Sequence, residues 1–207
     1  MALTNWVGLI TAVQDFTGRA DMTTAKVDYF IDLAEAYFNN NLRTHEMETT
    51  NGSFTVTAGA ISNPSDFLGW KRLSITSNGA TTLLSPVSYE QNEMIDDGTT
   101  GMPTRYLIRG GSTLLRPTPD ATYTVGGTYY QKVPALSDSQ STNWISTNYS
   151  DAYFFPMMAM AEAFIQNDMR MATWVPLLEQ AVAGIKKTDR EKGWGQMGSM
   201  TTEYPVY

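Results

Sequence analysis

Residues 116–155 read RPTPDATYTVGGTYYQKVPALSDSQSTNWISTNYSDAYFF. The stretch divides into pieces of different period. Tyr123 to Lys132 alternates and is rich in Thr, Tyr and Val, which predicts a strand, with Gly126 and Gly127 marking a bulge or a close backbone contact. Val133-Pro-Ala-Leu136 leads away from it. Pro, Ser, Asp and Asn then punctuate a loop around Trp144, expected to plug a seam. Ser150 is a predicted N-cap, with Asp151 in the first turn where the helix dipole favours a carboxylate. The segment is therefore the return path from a β-rich middle to a C-terminal helical region.

Upstream the chain starts helical. Leu3, Trp6, Val7, Ile10 and Val13 recur at helical spacing, with Thr4 as predicted cap and Gly18 as stop. A second helix is expected from Thr23 or Thr24, with Val27, Phe30, Ile31, Ala34, Phe38 and Leu42 on its apolar side. Asp28, Asp32, Glu35 and Asn39 are expected on the solvent side. After Glu48 the pattern turns to strands. Ser53–Ala58 is β-branched, Asn63-Pro-Ser-Asp66 is turn chemistry, and Asn78-Gly79 joins Lys71–Thr76 to Thr81–Leu84. Ser88 and Gln91 have capping-box spacing for a short helix to Ile95. Gly110-Gly111 joins Arg105–Arg109 to Ser112–Arg116.

Downstream, Tyr153, Phe154, Met157, Met158, Ala161, Phe164 and Ile165 predict an apolar helix interrupted by Pro156. A last helix is expected from Thr173 to Lys192, with Pro176 in its first turn and Leu177, Leu178, Ala181, Val182 and Ile185 on one face. Gly193–Tyr207 has no period. It carries spaced aromatics and methionines and is expected to be disordered in isolation. The predicted fold is α+β: an antiparallel helical bundle from residues 1–48 and 150–192, an antiparallel β insertion over 49–149, and an extended tail over 193–207.

Composition narrows the function. The net charge is -7, from 14 basic and 21 acidic residues. Gripping nucleic acid requires Lys and Arg to displace counterions, so tight DNA binding is not expected. Cysteine is absent, which removes disulfides, thiolate metal sites and Cys nucleophiles. No apolar run approaches the roughly 20 residues that span a bilayer, and the N-terminus lacks the basic and apolar blocks of a signal peptide. The expectation is a protein made in a cytoplasm and soluble until it assembles.

The candidate chemistry is thin. Gly193-Trp-Gly195-Gln-Met-Gly198 matches a dinucleotide motif by letter, but a charged helix precedes it where a strand is required. His45, the one histidine, has no nucleophile-elbow pattern to serve. Glu90, Glu93, Asp96 and Asp97 are turn acids and a solvated face rather than opposed catalytic carboxylates. Tyr129, Tyr130, Trp144, Tyr149 and residues 153–155 lack the basic groove of a single-strand binder. No enzyme, metal or cofactor is implied.

Five pieces carry a resemblance. They are residues 33–43 (LAEAYFNNNLR) with 45–48 (HEME), 63–68 (NPSDFL), 115–119 (LRPTP), 128–138 (TYYQKVPALSD), and Asn143-Trp144 with Tyr153 onward. In their order and spacing they resemble the head–tail adaptor (connector) proteins of tailed bacteriophages. The resemblance implies a structural virion protein in the neck, made in the bacterial host cytoplasm. It implies a ring of about twelve copies under the capsid portal, continuing the DNA channel without sequence-specific binding. Partners would be the portal, neighbouring subunits and tail or nozzle proteins, with no membrane. The tail would dock on the portal, a role carried onto Trp194, Met197, Met200, Tyr204, Val206 and Tyr207. On the residues alone, a tail-associated glycan-binding or peptidoglycan-cleaving module is the alternative.

Overall fold

The computed structural model describes residues 3–57, 59–95, 98–166 and 168–195, and the side chains of all of these except 51–53, 95, 168, 194 and 195. The fold is α+β, with six α-helices and two four-stranded sheets among the described residues. The chain forms two compact units. One takes the chain up to Glu46 and from Val133 onward; the other is Met47–Lys132.

In the helical unit, α1 is Trp6–Thr17 and α2 is Thr24–Asn41. The cap of α1 is Asn5, not Thr4: its side-chain oxygen accepts from Gly8 N at 2.7 Å. Gly18 ends the helix with φ of 60°, a conformation that costs glycine little. The expected apolar side of α2 is buried as a set, Val27 to Leu42. Its opposite side is not uniformly polar. Glu35 is buried, and Asn39 Oδ1 accepts from Val133 N at 2.9 Å. Tyr29 and Leu33 are exposed instead. The reason lies in the return segment, which covers the Glu35–Asn39 side and supplies donors there.

Residues 133–149 are hydrogen-bonded into this helical unit, so the β unit closes at Lys132 rather than at 149. A helix that periodicity misses, α4 (Trp144–Asn148), lies within them. Asn143 caps it through a reciprocal box: Ser146 N donates to Asn143 Oδ1 at 2.9 Å, and Asn143 N to Ser146 Oγ at 2.9 Å. The buried apolar residue here is Ile145; Trp144 stays half-buried, edge-on to Tyr149. Helix α5 (Ser150–Phe164) begins directly after, with Tyr149 and not Ser150 in the cap position.

α5 lies against α1, α2, α4 and α6, which explains its composition. A helix surrounded by others is apolar on all sides, and Tyr153, Met157, Met158 and Ala161 are all essentially buried. Phe38 meets Tyr153 edge-to-face at 5.0 Å between ring centroids. Helix α6 spans Asp168–Gly195. Thr173 is therefore not its cap, and Pro176 sits in its interior. The interruption is tolerated because Ala172, whose carbonyl loses its donor, is on an exposed turn where water can reach it.

The β unit holds β1 (Glu48–Val56), β2 (Ala60–Ser62), β3 (Phe67–Ser77), β4 (Ala80–Leu83), β5 (Ser85–Pro86), the short helix α3 (Tyr89–Ile95), β6 (Arg105–Arg109), β7 (Ser112–Arg116) and β8 (Tyr123–Gln131). The sheets run β1-β8-β3-β4 and β2-β7-β6-β5, antiparallel apart from the short β5–β6 pair. Both expected hairpins form. Asn78 and Gly79 have φ of 48° and 78°, the two positive values that a type I′ turn demands. Val56, Ile61, Leu73, Ile75, Leu84, Tyr106, Leu115 and Val125 form one core from both sheets. A polar chain also crosses it: Trp70 Nε1 donates to Thr113 Oγ1 at 2.7 Å, which donates to Asn63 Oδ1 at 2.6 Å.

Candidate interaction surface

The residues that sequence singled out for chemistry do not converge. Glu90 and Glu93 are three apart on one short helix and exposed, so they do not face each other across a cleft. Asp96 and Asp97 lie outside the described residues. No group of three or more metal-ligating side chains occurs among the described residues, and no described helix is long and apolar enough to cross a membrane.

His45 does have a carboxylate partner. Its backbone N–H donates to Asp189 Oδ1 at 2.8 Å, and its ring Nδ1 is 3.0 Å from the same oxygen. The adjacent Glu46 Oε1 accepts from Lys192 Nζ at 2.9 Å. These contacts clasp the last turns of α6 to the turn after α2. A Cβ on Gly193 would come 3.5 Å from His45 Cε1. Gly193–Gly195 thereby join the helix, although glycine is a poor helix former. The dinucleotide reading of this stretch fails here, since helix and not strand leads into it. Of the residues carried over as portal contacts, Trp194 falls in the last turn of α6 with its side chain outside the described residues. Met197, Met200, Tyr204, Val206 and Tyr207 lie outside them altogether.

The helical unit instead presents exposed apolar side chains. Phe16 on α1 is 63% exposed and Tyr29 on α2 66%. Val7, Leu33, Phe164, Met169, Met171 and Val175 are also exposed. Trp6 Nε1 donates to Asp28 Oδ1 at 2.7 Å, which fixes the start of α1 to α2. Leu83, Tyr89, Met94 and Ile108 are exposed on the β unit as well; such side chains mark a surface that meets other proteins where they adjoin in a patch.

Helix α6 explains the openness at its own end. Only Val182 and Ile185 of its described side chains are buried, so it rests on α5 by one side. Two hollows flank it. One of about 550 Å³ is lined by Tyr149, Phe155, Leu177 and Ala181, with Asp151 and Gln180 as polar rim. The other, of about 330 Å³, is walled by Phe16, Met158 and Trp174, with Glu162 and Arg170. Glu162 is a residue that sequence reading passed over, buried in an apolar helix. Its position inside the run MAMAEAF was the available signal, because a charge embedded in apolar sequence must find a partner.

The strongest polar feature is inside the unit. Glu35 Oε1 accepts from Leu136 N at 2.7 Å and from the Tyr153 hydroxyl at 3.1 Å. Asn143 Nδ2 donates to that hydroxyl at 2.7 Å and to Pro134 O at 2.8 Å. Burial raises the Glu35 carboxyl to a pKa of about 7, with Asp32 and Asp28 adding to the rise and the two donors opposing it. Burial also pushes the Tyr153 hydroxyl up, reinforced by Glu35. The Glu35–Tyr153 pair ties the return segment to two helices.

Residues 4–202 match the model of the SU10 adaptor protein family. The chain belongs to that family of phage head–tail adaptors. No curated protein matches it. As an SU10 adaptor protein the chain is a phage structural protein.

Proposed function

We propose that the chain is a structural virion subunit that forms a ring between the capsid portal and the tail and continues the passage for the genome. Family membership over residues 4–202 carries the reading. The exposed apolar residues of α1, α2 and α6 are suited to side-by-side packing of copies. The net charge of -7 suits a wall that DNA passes without adhering, because phosphates gain nothing from an acidic surface.

Portal docking falls to the end of the chain. Met197, Met200, Tyr204, Val206 and Tyr207 follow the clasped last turn of α6, together with Trp194 on it. Tyr and Trp anchors bury large areas at interfaces, and repetition around a ring makes each bound tail raise the effective concentration of the next. The test is co-sedimentation of the protein with portal particles, for the full chain and for a chain stopped after Gly195. The full chain co-sediments; the shortened chain stays folded and in the supernatant. Equal recovery of both rejects tail docking. Failure of the full chain to join the portal rejects the adaptor role.

A further inference from the structure

Two surfaces of the helical unit that its own chain leaves uncovered fit each other. The first is the hollow between α5 and α6, about 550 Å³. Phe155, Leu177 and Ala181 make it apolar, and Gly184 and Thr188 continue it along α6. Glycine inside a helix is unfavourable beside alanine. The subunit itself gives no steric reason for Gly184, where a Cβ would meet nothing within 4 Å. The second surface is on α2. Tyr29 is 66% and Leu33 54% exposed, and Ala25 and Ala36 are exposed in line with them. Residues at this spacing make one stripe along a helix, the pattern of anchors that a helix presents to a groove. Ala25 to Ala36 and Leu177 to Thr188 are equally long, about 16 Å at 1.5 Å per residue.

One subunit cannot join its own two surfaces. Tyr153 meets Phe38 of α2, whereas Asp151 and Phe155 line the hollow. Each of these stands two residues from Tyr153, about 200° around α5, so α2 and the hollow lie on opposite sides of that helix. No other described helix carries such a stripe over that length. Val7 and Phe16 of α1 point to opposite sides, and Phe16 packs on Phe154. The large exposed apolar residues of α6, Met169 to Val175, cover about 9 Å, too short for the hollow. Charge agrees. Asp32 marks one edge of the α2 stripe, and Lys26, 4.6 Å over the Phe164 ring, marks the other. The hollow has Lys187 one turn beyond Gly184 on its α6 side and Asp151 on its α5 side. We propose that α2 of one copy lies in the α5–α6 hollow of the next, with Tyr29 and Leu33 as anchors and Asp32 toward Lys187. The contact is head-to-tail: each copy offers α2 to one neighbour and its hollow to the other, and the series closes as a ring. This rests on the ring reading above and names the contact that builds it.

The test reads the mass of the assembly over a concentration series, with and without portal particles. Leu33→Asp spoils the stripe and Gly184→Leu fills the hollow. Each raises the concentration needed for assembly at least tenfold. A mixture of the two variants stops at dimer, because it holds one intact stripe for one intact hollow. Below the assembly concentration, Gly184→Leu melts at or above the wild-type temperature, since leucine suits a helix better than glycine. A lower melting point means that the glycine serves its own chain and overturns the proposal. Asp32→Lys and Lys187→Asp each weaken assembly, and the double variant returns to within threefold of wild type. Failure of that rescue overturns the pairing of α2 with α6. Assembly that responds to Gly184→Leu and ignores Leu33→Asp gives the hollow to another occupant, such as the segment after Gly195. Assembly that ignores both overturns the contact and leaves the ring reading standing. A wild-type chain that stays monomeric at every concentration, with or without portal, overturns both.

Discussion

The backbone N–H of Leu136 donates a 2.7 Å hydrogen bond to Glu35 Oε1, across 101 residues of chain. The same oxygen holds the Tyr153 hydroxyl, which in turn accepts from Asn143. One carboxylate thus joins α2, the return segment and α5 in a low-dielectric interior, where such bonds are strong and their loss is costly.

Glu35→Leu strands both donors. Each buried unsatisfied group costs about 1–3 kcal/mol, so the variant is expected to lose about 3 kcal/mol or more. Glu35→Gln keeps an acceptor and should lose about 1 kcal/mol. Urea titration at pH 6 measures both. A Leu variant as stable as the wild type would remove the network from any stabilising role.

The same carboxyl makes stability depend on pH. Its folded pKa of about 7 lies above the ordinary 4.5, so between these values the folded state keeps a proton that the unfolded state has released. The stabilisation is fully present below pH 4.5, falls as pH rises toward 7, and is level beyond it. The slope is at most about 1.4 kcal/mol per pH unit. Melting Glu35→Gln beside the wild type from pH 4.5 to 8 isolates it. The variant should lack this fall, and parallel curves would rule the titration out.

What the sequence revealed follows from how local each signal was. Asn78-Gly79 and Gly110-Gly111 marked hairpins because those turns need positive φ at both positions, a demand met within two residues. The buried stripe of α2 was legible for the same reason, since one helix states it. Glu35 was misplaced on the solvent side because its burial depends on donors 101 and 118 residues away. The start of α6 was misread because Thr173 and Pro176 imitate a cap and first turn. Helix α4 was readable in principle: Asn143 and Ser146 stand at capping-box spacing, with a hydroxyl in place of the usual Glu or Gln. The apolar exterior was hidden by success elsewhere. Val7 read as core because periodicity cannot tell one apolar side of a helix that meets its own chain from one that does not.

Gly127 on β8 tests the close approach anticipated there. A Cβ at this position would lie 2.5 Å from Arg72 O and 3.0 Å from Leu73 Cδ1 and Trp70 Cζ3, beside the irregular register between Trp70 and Arg72. Backbone cannot step aside as a side-chain tip can. Gly127→Ala should therefore lose about 2–3 kcal/mol. Gly126→Ala, with nothing within 4 Å of its Cβ, should be close to neutral. Thermal melts of the pair decide it, and equal losses would refute the steric account.

The clasp at the end of α6 governs how far the helix persists toward the segment proposed to dock on the portal. Asp189 Oδ1 receives both the backbone N–H and the ring of His45, whereas Glu46 and Lys192 form an exposed pair that solvent screens. Removing Asp189 also leaves the turn after α2 short of its acceptor. Asp189→Ala should raise amide exchange over residues 186–195 about tenfold while leaving Val182 and its neighbours protected, since that part of α6 is packed on α5. Glu46→Ala should change exchange by less than about threefold. If both variants exchange alike, the Asp189 side of the clasp is not what holds the last turns, and the reach of the residues proposed to dock would be set by the segment after Gly195 alone.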